Sequence, residues 1–309
     1  MSIAVFGSIN CDVVAYLEHL PRPGETLHGL GYKIGLGGKG ANQAVAARRL
    51  GSAVSFIART GGDMFGEACL KEIAGYDVAT GLIRRDEGGA TGIAIINVAS
   101  NGENTISLIG DANMRMDETD VTRAAAALDK ARVLLLQLEV PFAASLSAAR
   151  RVRGLGGIVI LDPAPAPEKL FASSEFEHVD LLTPNETETA RLVGWQPATP
   201  EEGLKAAREL REKGVCGAIV KLGGKGVAVS APDYEGLIPA FRVTPIDTVA
   251  AGDCFNGGLA HALASGRPLA DAARYAAACG ALSTTRRGAA AAAPTAAEVE
   301  AFLQTSTSS

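Results

Sequence analysis

Short β-branched apolar runs alternate with stretches of helical length along most of this 309-residue chain, and that rhythm constrains the fold more than any motif does. The runs fall at 3–6, 53–58, 133–138, 158–161, 181–182, 218–221 and 227–230. Helical stretches fall at 41–50, 65–74, 118–128, 142–153, 186–192, 201–213, 253–264, 269–284 and 296–303. Strands that feed crossover helices build a mostly parallel, Rossmann-like α/β sheet covered on both faces. Ligands of such sheets sit beyond the carboxyl ends of the strands. The polar residues there are therefore candidates for function: Asn10 and Asp12 after the first run, and Glu139 after the third.

Segments 12–16, 26–34, 92–98 and 104–109 break the rhythm, reading as strands joined by turns at Pro23-Gly24 and Asn101-Gly102. They predict a small antiparallel sheet, a lid spanning about 11–35 and 91–110, able to close over a substrate and exclude water. Surface hairpins without catalytic use are the alternative. The remainder reads as one α/β domain over 1–304, with 305–309 a short polar tail expected to be disordered.

A chain that is 47% hydrophobic and 20% charged can bury a large core without metal or disulfide support. Its net charge of −5 argues against a general binder of nucleic acid or anionic membrane. Cys11, Cys69, Cys216, Cys254 and Cys279 form no C-x-x-C pair and match no zinc spacing. They read as reduced thiols in a cytoplasmic protein. Met1 leads straight into the first apolar run without a signal-peptide pattern, and no apolar run reaches the length of a membrane span.

The most informative segment runs from Asp247 to Gly257. Ala250, Ala251 and Gly252 are small residues that lead directly into a helix, whose free N–H groups and dipole favour a negative charge. Such a site suits phosphoryl oxygens, and losing one donor from it costs about 3–4 kcal/mol of transition-state stabilisation. Asp253 at the same helix end can take a proton from an attacking hydroxyl. It could instead be a plain N-cap. Cys254 as a nucleophile lacks a partner, since His19, His28, His178 and His261 lie in unrelated contexts.

Gly35, Gly37 and Gly40 fit G-x-G-x-x-G, but the segment before them is hairpin-like, and Gly40 follows Lys39 where a phosphate loop needs Ser or Thr. Glycines there allow close approach of backbone to a polar ligand, with Gly38, Lys39 and Asn42 beside it. A second Gly-Gly-Lys-Gly at 223–226 is either a tight turn or a contact for nucleotide phosphates or ribose. Thr183 to Glu188 reads as a helix cap with an acidic first turn, or as a site handling magnesium and phosphate through Asn185 and Glu188. Asn10, Asp12, Asn42 and Glu139 together offer the amides and carboxylates of sugar recognition.

These segments, in this order, resemble the ribokinase branch of the phosphofructokinase-B sugar-kinase superfamily. The stretches Gly37 to Ala44 and Asp247 to Asp253 carry the likeness, which covers nearly the whole chain, from Gly7 to Gly288. The resemblance implies a β-sheet lid, through which such chains often dimerise. It implies sugar contacts from Asn10, Asp12, Gly38, Lys39, Asn42, Glu139 and Asp253, and ATP contacts from Asn185, Lys221, Gly223, Gly224, Gly226, Gly252 and Ala277. Glu188 would help organise magnesium through water. Potassium would lie near Asp247, Val249, Ser283, Arg286 and Gly288. Three positions depart from the pattern: Ala292 stands where Ser is frequent, Lys221 where Thr is common, and Ala277 where a polar residue lies near adenine.

The resulting expectation is a MgATP-dependent kinase acting on D-ribose at O5, with Asp253 as base and Ala250, Ala251, Gly252 and Asp253 forming the anion hole. Another furanose or a nucleoside (fructose, deoxyribose, a riboside) is the nearest alternative. A dinucleotide-dependent oxidoreductase rests only on the glycines at 35–40, and a non-catalytic sugar sensor would need the pocket but no base.

Overall fold

The computed structural model describes residues 2–166 and 173–306. Its strands are β1 (Ser2–Phe6), β2 (Asn10–Leu17), β3 (Gly31–Gly37), β4 (Ala53–Gly61), β5 (Ile83–Asp86), β6 (Gly92–Ala99), β7 (Asn104–Ile109), β8 (Val133–Leu136), β9 (Ile158–Leu161), β10 (Leu181–Leu182), β11 (Gly217–Lys221), β12 (Val227–Ala231) and β13 (Tyr234–Ile238). Its α-helices are α1 (Lys39–Arg49), α2 (Met64–Gly75), α3 (Glu118–Arg123), α4 (Ala125–Leu128), α5 (Phe142–Gly154), α6 (Glu186–Val193), α7 (Pro200–Glu212), α8 (Ala251–Ala264), α9 (Leu269–Ser283) and α10 (Ala296–Ser306). No helix among the described residues is long and apolar enough to cross a membrane.

The large sheet runs β5-β4-β1-β8-β9-β10-β11 with every neighbour parallel, and β12 and β13 add an antiparallel margin. Its central strands are apolar on both faces because helices cover both. Val5, Val133 and Leu135 pack in one layer with Leu259 and Cys279, and Phe6, Leu134 and Leu136 pack in the other with Ala148, Val152 and Leu210. Each fully buried Leu or Val contributes roughly 1.5–3 kcal/mol relative to exposure.

The lid is a four-stranded sheet in the order β3-β2-β6-β7. It is mixed rather than antiparallel, since β2 pairs antiparallel with β3 but parallel with β6. The cause is topological. β2 follows β1 and β6 follows β5, two parallel strands of the large sheet, so the chain enters the lid twice in the same direction. The strand expected at 26–34 is shifted to Gly31–Gly37, because a Pro-rich turn closed by Glu25 N to Arg22 O occupies the residues before it.

Other expectations shift by less. The single helix at 118–128 divides at Ala124, where φ is −89° and ψ 5°. Strands β5 (Ile-Arg-Arg-Asp) and β13 escaped notice because both lie at sheet margins and carry polar side chains. Helix α10 extends to Ser306, so Thr305 belongs to a helix and not to a disordered tail, while 307–309 lie outside the described residues.

Candidate active site

Three residues separate β1 from the lid, and they organise the first half of the site. Ser8 Oγ donates to Glu139 Oε2 at 2.5 Å and accepts from Gly40 N at 3.3 Å. Glu139 Oε2 also accepts from Lys39 N at 3.0 Å and from Asn10 Nδ2 at 3.4 Å. Asn10 Oδ1 in turn accepts from Asn113 Nδ2 at 2.8 Å. The end of β1, the start of β2, the first turn of α1 and the end of β8 are thus tied to one carboxylate oxygen.

Two glycines of 35–40, Gly38 and Gly40, serve this packing. A Cβ on Gly40 would lie 2.5 Å from Ser8 N, and one on Gly38, the α1 N-cap at φ 90°, would lie 2.7 Å from Asn10 N. Their purpose is the close approach of α1 to the end of β1, and the strand before the motif, β3, belongs to the four-stranded sheet, so the dinucleotide reading lacks its βαβ unit.

Asp253 is the third residue of α8, not its cap; the N-cap is Ala250, held in the left-handed region at φ 58°, ψ 15°. A non-glycine residue there is uncommon and costs free energy, a cost that clusters at functional positions. Cys254 N is bonded to Ala250 O, and Ala251 N reaches Thr248 O only at 3.3 Å. The N–H groups of Gly252 and Asp253 precede the first α-helical bond and point along the helix axis away from the chain. Asp253 itself is buried, accepting from Asn42 Nδ2 at 3.3 Å and from Gln43 Nε2 at 3.0 Å.

The opposite wall comes from β9, α6 and the turn after β11. Lys221 Nζ donates to Asp162 Oδ1 at 3.1 Å and stands 3.4 Å from where a Cβ on Gly252 would lie. Gly223 to Lys225 form a 3-10 turn, and Gly226, at φ 101°, leaves no room for a Cβ against Ile238 O. Asn185 and Glu188 form a reciprocal capping box at the start of α6, with bonds of 2.8, 2.9 and 2.8 Å. The cap reading is therefore correct for these two. Each Glu188 oxygen retains a lone pair for a further donor. Ala277 packs against the apolar core from α9.

Asp247 joins the segments on either side of α8 and α9. Its Oδ1 accepts from Val249 N at 3.0 Å and its Oδ2 from Gly288 N at 2.9 Å. Arg286 is paired with Glu298 at 2.7 Å, and Ser283 Oγ donates to Gly280 O at 2.8 Å. Val249, Arg286 and Gly288 are thus held in one loop assembly behind the α8 start.

Electrostatically the site is a concentration of acids around two ammonium groups, those of Lys39 and Lys221. Burial raises Asp253 to about 6, with Asp162 and Glu139 adding to the rise and Lys39 and Gln43 opposing it. Burial likewise raises Asp12 to about 7, helped by Glu139, Asp253 and Glu72. Burial would lower Lys39, but Asp253, Asp162, Glu139 and Glu188 more than offset it and hold the ammonium charged. A carboxylate near 6 beside a helix start is suited to accept a proton from an alcohol at neutral pH.

Asn10, Asp12, Gly38, Lys39, Asn42, Glu139 and Asp253, far apart in the chain, converge here. Gln43, Gln137, Asp162, Ser8 and Asn113 were not anticipated. Asp162 was within reach of the same logic that singled out Glu139, being the first polar residue after a buried strand.

A sheet of this topology with a second small sheet and a buried acid at a helix start fits transfer of a phosphoryl group to an alcohol. The chain belongs to the pfkB family of carbohydrate kinases, whose pattern matches residues 1–296. It is 39% identical over 303 residues to a ribokinase of Haemophilus influenzae, covering 98% of each chain. It is 37% identical over 288 residues to a deoxyribokinase of Salmonella typhi, covering 93% of this chain and 94% of the relative. The structure of an Arabidopsis thaliana ribokinase complexed with ribose and ATP superposes with a TM-score of 0.89 at 30% identity, over 98% of each chain.

Proposed function

We propose that this chain transfers the γ-phosphoryl group of MgATP to the 5-hydroxyl of D-ribose. The observation that carries the reading is the buried Asp253 carboxylate, tethered by Asn42 and Gln43 at the start of a helix where the Gly252 and Asp253 N–H groups precede the first α-helical bond. Asp253 takes the proton of the attacking hydroxyl, and the Ala250–Asp253 backbone stabilises the charge on the moving phosphoryl group. Asn10, Asp12, Gly38, Lys39, Asn42 and Glu139 hold the sugar hydroxyls. Asn185, Gly252 and the turn from Lys221 to Gly226 hold the nucleotide, with Ala277 toward its base.

Among the described residues no group of three His, Cys, Asp or Glu side chains is placed to cage a metal. Magnesium keeps its waters and would arrive on the nucleotide phosphates; Glu188 would hold it through water, and it would neutralise phosphate charge. Potassium fits the loop assembly held by Asp247, with Val249, Ser283, Arg286 and Gly288 around it. The chain works in the cytoplasm, as a homodimer through the lid. Supporting the dimer, Tyr32, Ile34 and Ile95 are exposed together on one face of the lid at 78%, 48% and 42%.

Deoxyribose is the second reading, supported by the identity to the Salmonella typhi deoxyribokinase. ADP release from MgATP, with potassium present, decides between ribose, deoxyribose, fructose and nucleosides. Selective turnover of ribose is expected; selective turnover of deoxyribose moves the substrate and keeps the chemistry. Sugar binding without any ADP release would instead mark a sensor.

A further inference from the structure

Four side chains, three of them buried, form a file from the nucleotide turn to Asp253 that the proton transfer does not by itself require. Lys221 Nζ donates to Asp162 Oδ1 at 3.1 Å. Gln43 Nε2 donates to Asp162 Oδ2 at 3.1 Å and to Asp253 Oδ1 at 3.0 Å. Behind it, Gln137 Nε2 donates to Gln43 Oε1 at 2.7 Å, and both glutamines are 0% exposed.

The Gln137 bond settles how the Gln43 amide is turned. Rotated by half a turn, its oxygen would face two carboxylates and the Gln137 N–H would lose its acceptor. In the observed orientation both Gln43 N–H groups are consumed, one on each acid. A neutral amide is the group that can hold two buried carboxylates side by side without demanding a proton from either. Asp253 is thereby gripped through Oδ1, while Oδ2 keeps only the longer Asn42 bond and is the oxygen available to a hydroxyl.

We propose that Gln43 is the positioning residue for the base, fixing the Asp253 carboxylate through Oδ1 and clamping it to Asp162 and so to Lys221 beside the nucleotide turn. This rests on Asp253 being the base of the kinase reaction above. Misplacing a reacting group by about 1 Å can cost about 10²-fold in rate. The charged groups facing Asp253 are Lys39 from α1, Asp162 after β9, Glu139 after β8 and Asp12 from the lid; Lys39 favours the ionised form and the three acids oppose it. Gln43 favours it as a donor, so removing Gln43 and removing Asp162 act on Asp253 in opposite directions.

The experiment measures kcat, both KM values and the acid limb of the kcat–pH profile for the unaltered chain, Gln43→Met and Asp162→Asn. Gln43→Met should lose roughly 30–100-fold in kcat with each KM changed less than about 3-fold, and its acid limb should move to higher pH. Asp162→Asn should move the limb to lower pH. A side chain that merely fills space gives neither shift, and unmoved limbs, or kcat of Gln43→Met within about 3-fold of the parent, overturn the proposal. Should Gln43→Met fail to fold, Gln137→Leu removes only the donor that orients the amide; it should lose about 10-fold in kcat with the limb moved to higher pH, and an unmoved limb sinks the proposal equally. Absence of ADP release by the unaltered chain with any sugar overturns both readings, whereas a turning-over parent with an unaffected Gln43→Met overturns this one alone.

Discussion

The carboxylate of Asp12 occupies the space above Gly37, so close that a Cβ on Gly37 would lie 1.9 Å from its Oδ1. Gly37 has no left-handed backbone, so alanine is compatible with the chain and incompatible only with that carboxylate. Gly37→Ala should therefore push Asp12 from the pocket and leave the fold standing. We expect KM for ribose to rise at least about 10-fold, the loss of one charged hydrogen bond to a hydroxyl, with kcat far less affected. An unchanged KM would remove Asp12 from the sugar site.

Asp253→Asn keeps shape and removes the base. General-base contributions are about 10²–10⁴-fold, and kcat should fall by at least that much while KM for ATP stays near its parent value. Thermal stability should hold or rise, because a buried acid raised to about 6 is disfavoured as its anion. Retained activity would place the base elsewhere.

The raised acids also set the sign of the stability–pH curve. The folded Asp12, near 7, lies above the ordinary aspartate value of 3.8, so its contribution is complete below about pH 4 and is lost as pH rises through 7. Asp253 acts in the same sense, being complete below about 4 and lost as pH rises through 6. The unliganded protein should become less stable from pH 4 to 8 through these two groups, and Asp12→Asn should flatten the decline. One pH unit corresponds to about 1.4 kcal/mol. In a chain this size the variant should melt several degrees higher than the parent at pH 8 and little differently below about pH 4, by calorimetry. An identical slope in both would contradict the assignment.

Tyr32, Ile34 and Ile95 lie on one face of the lid, as the register of Ile34 with Val13 and of Val13 with Ile95 requires. Tyr32→Glu combined with Ile95→Asp places two charges on that face, where a second lid would pack. Light scattering should report a dimer for the parent and a monomer for the double variant. A parent that is monomeric at micromolar concentration refutes lid dimerisation outright.

What could be read from the sequence was what repeats or what is local. The apolar runs gave the large sheet because both faces of each central strand are covered, as at Leu134 and Leu135. Asp253 and Asn42 stood out because small residues and glycines surround them. Asp162, Gln43 and Gln137 did not, since each looks ordinary beside its own neighbours and gains meaning only from bonds spanning 94, 119 and 210 positions. The parallel pairing of β2 with β6 was equally invisible, being set by how the chain leaves the large sheet and not by any residue in the lid.

Between Phe6 in the central strand and Asn10 in the lid stand only Gly7, Ser8 and Ile9, and Ser8 is itself bonded to Glu139. The cover is therefore not a detachable module. Grafting a foreign flap onto this scaffold would carry across Asn10, Asp12 and the Gly37 notch with it, so enzymes of this build must alter substrate preference and closure together, by small substitutions at a shared joint and not by exchange of parts.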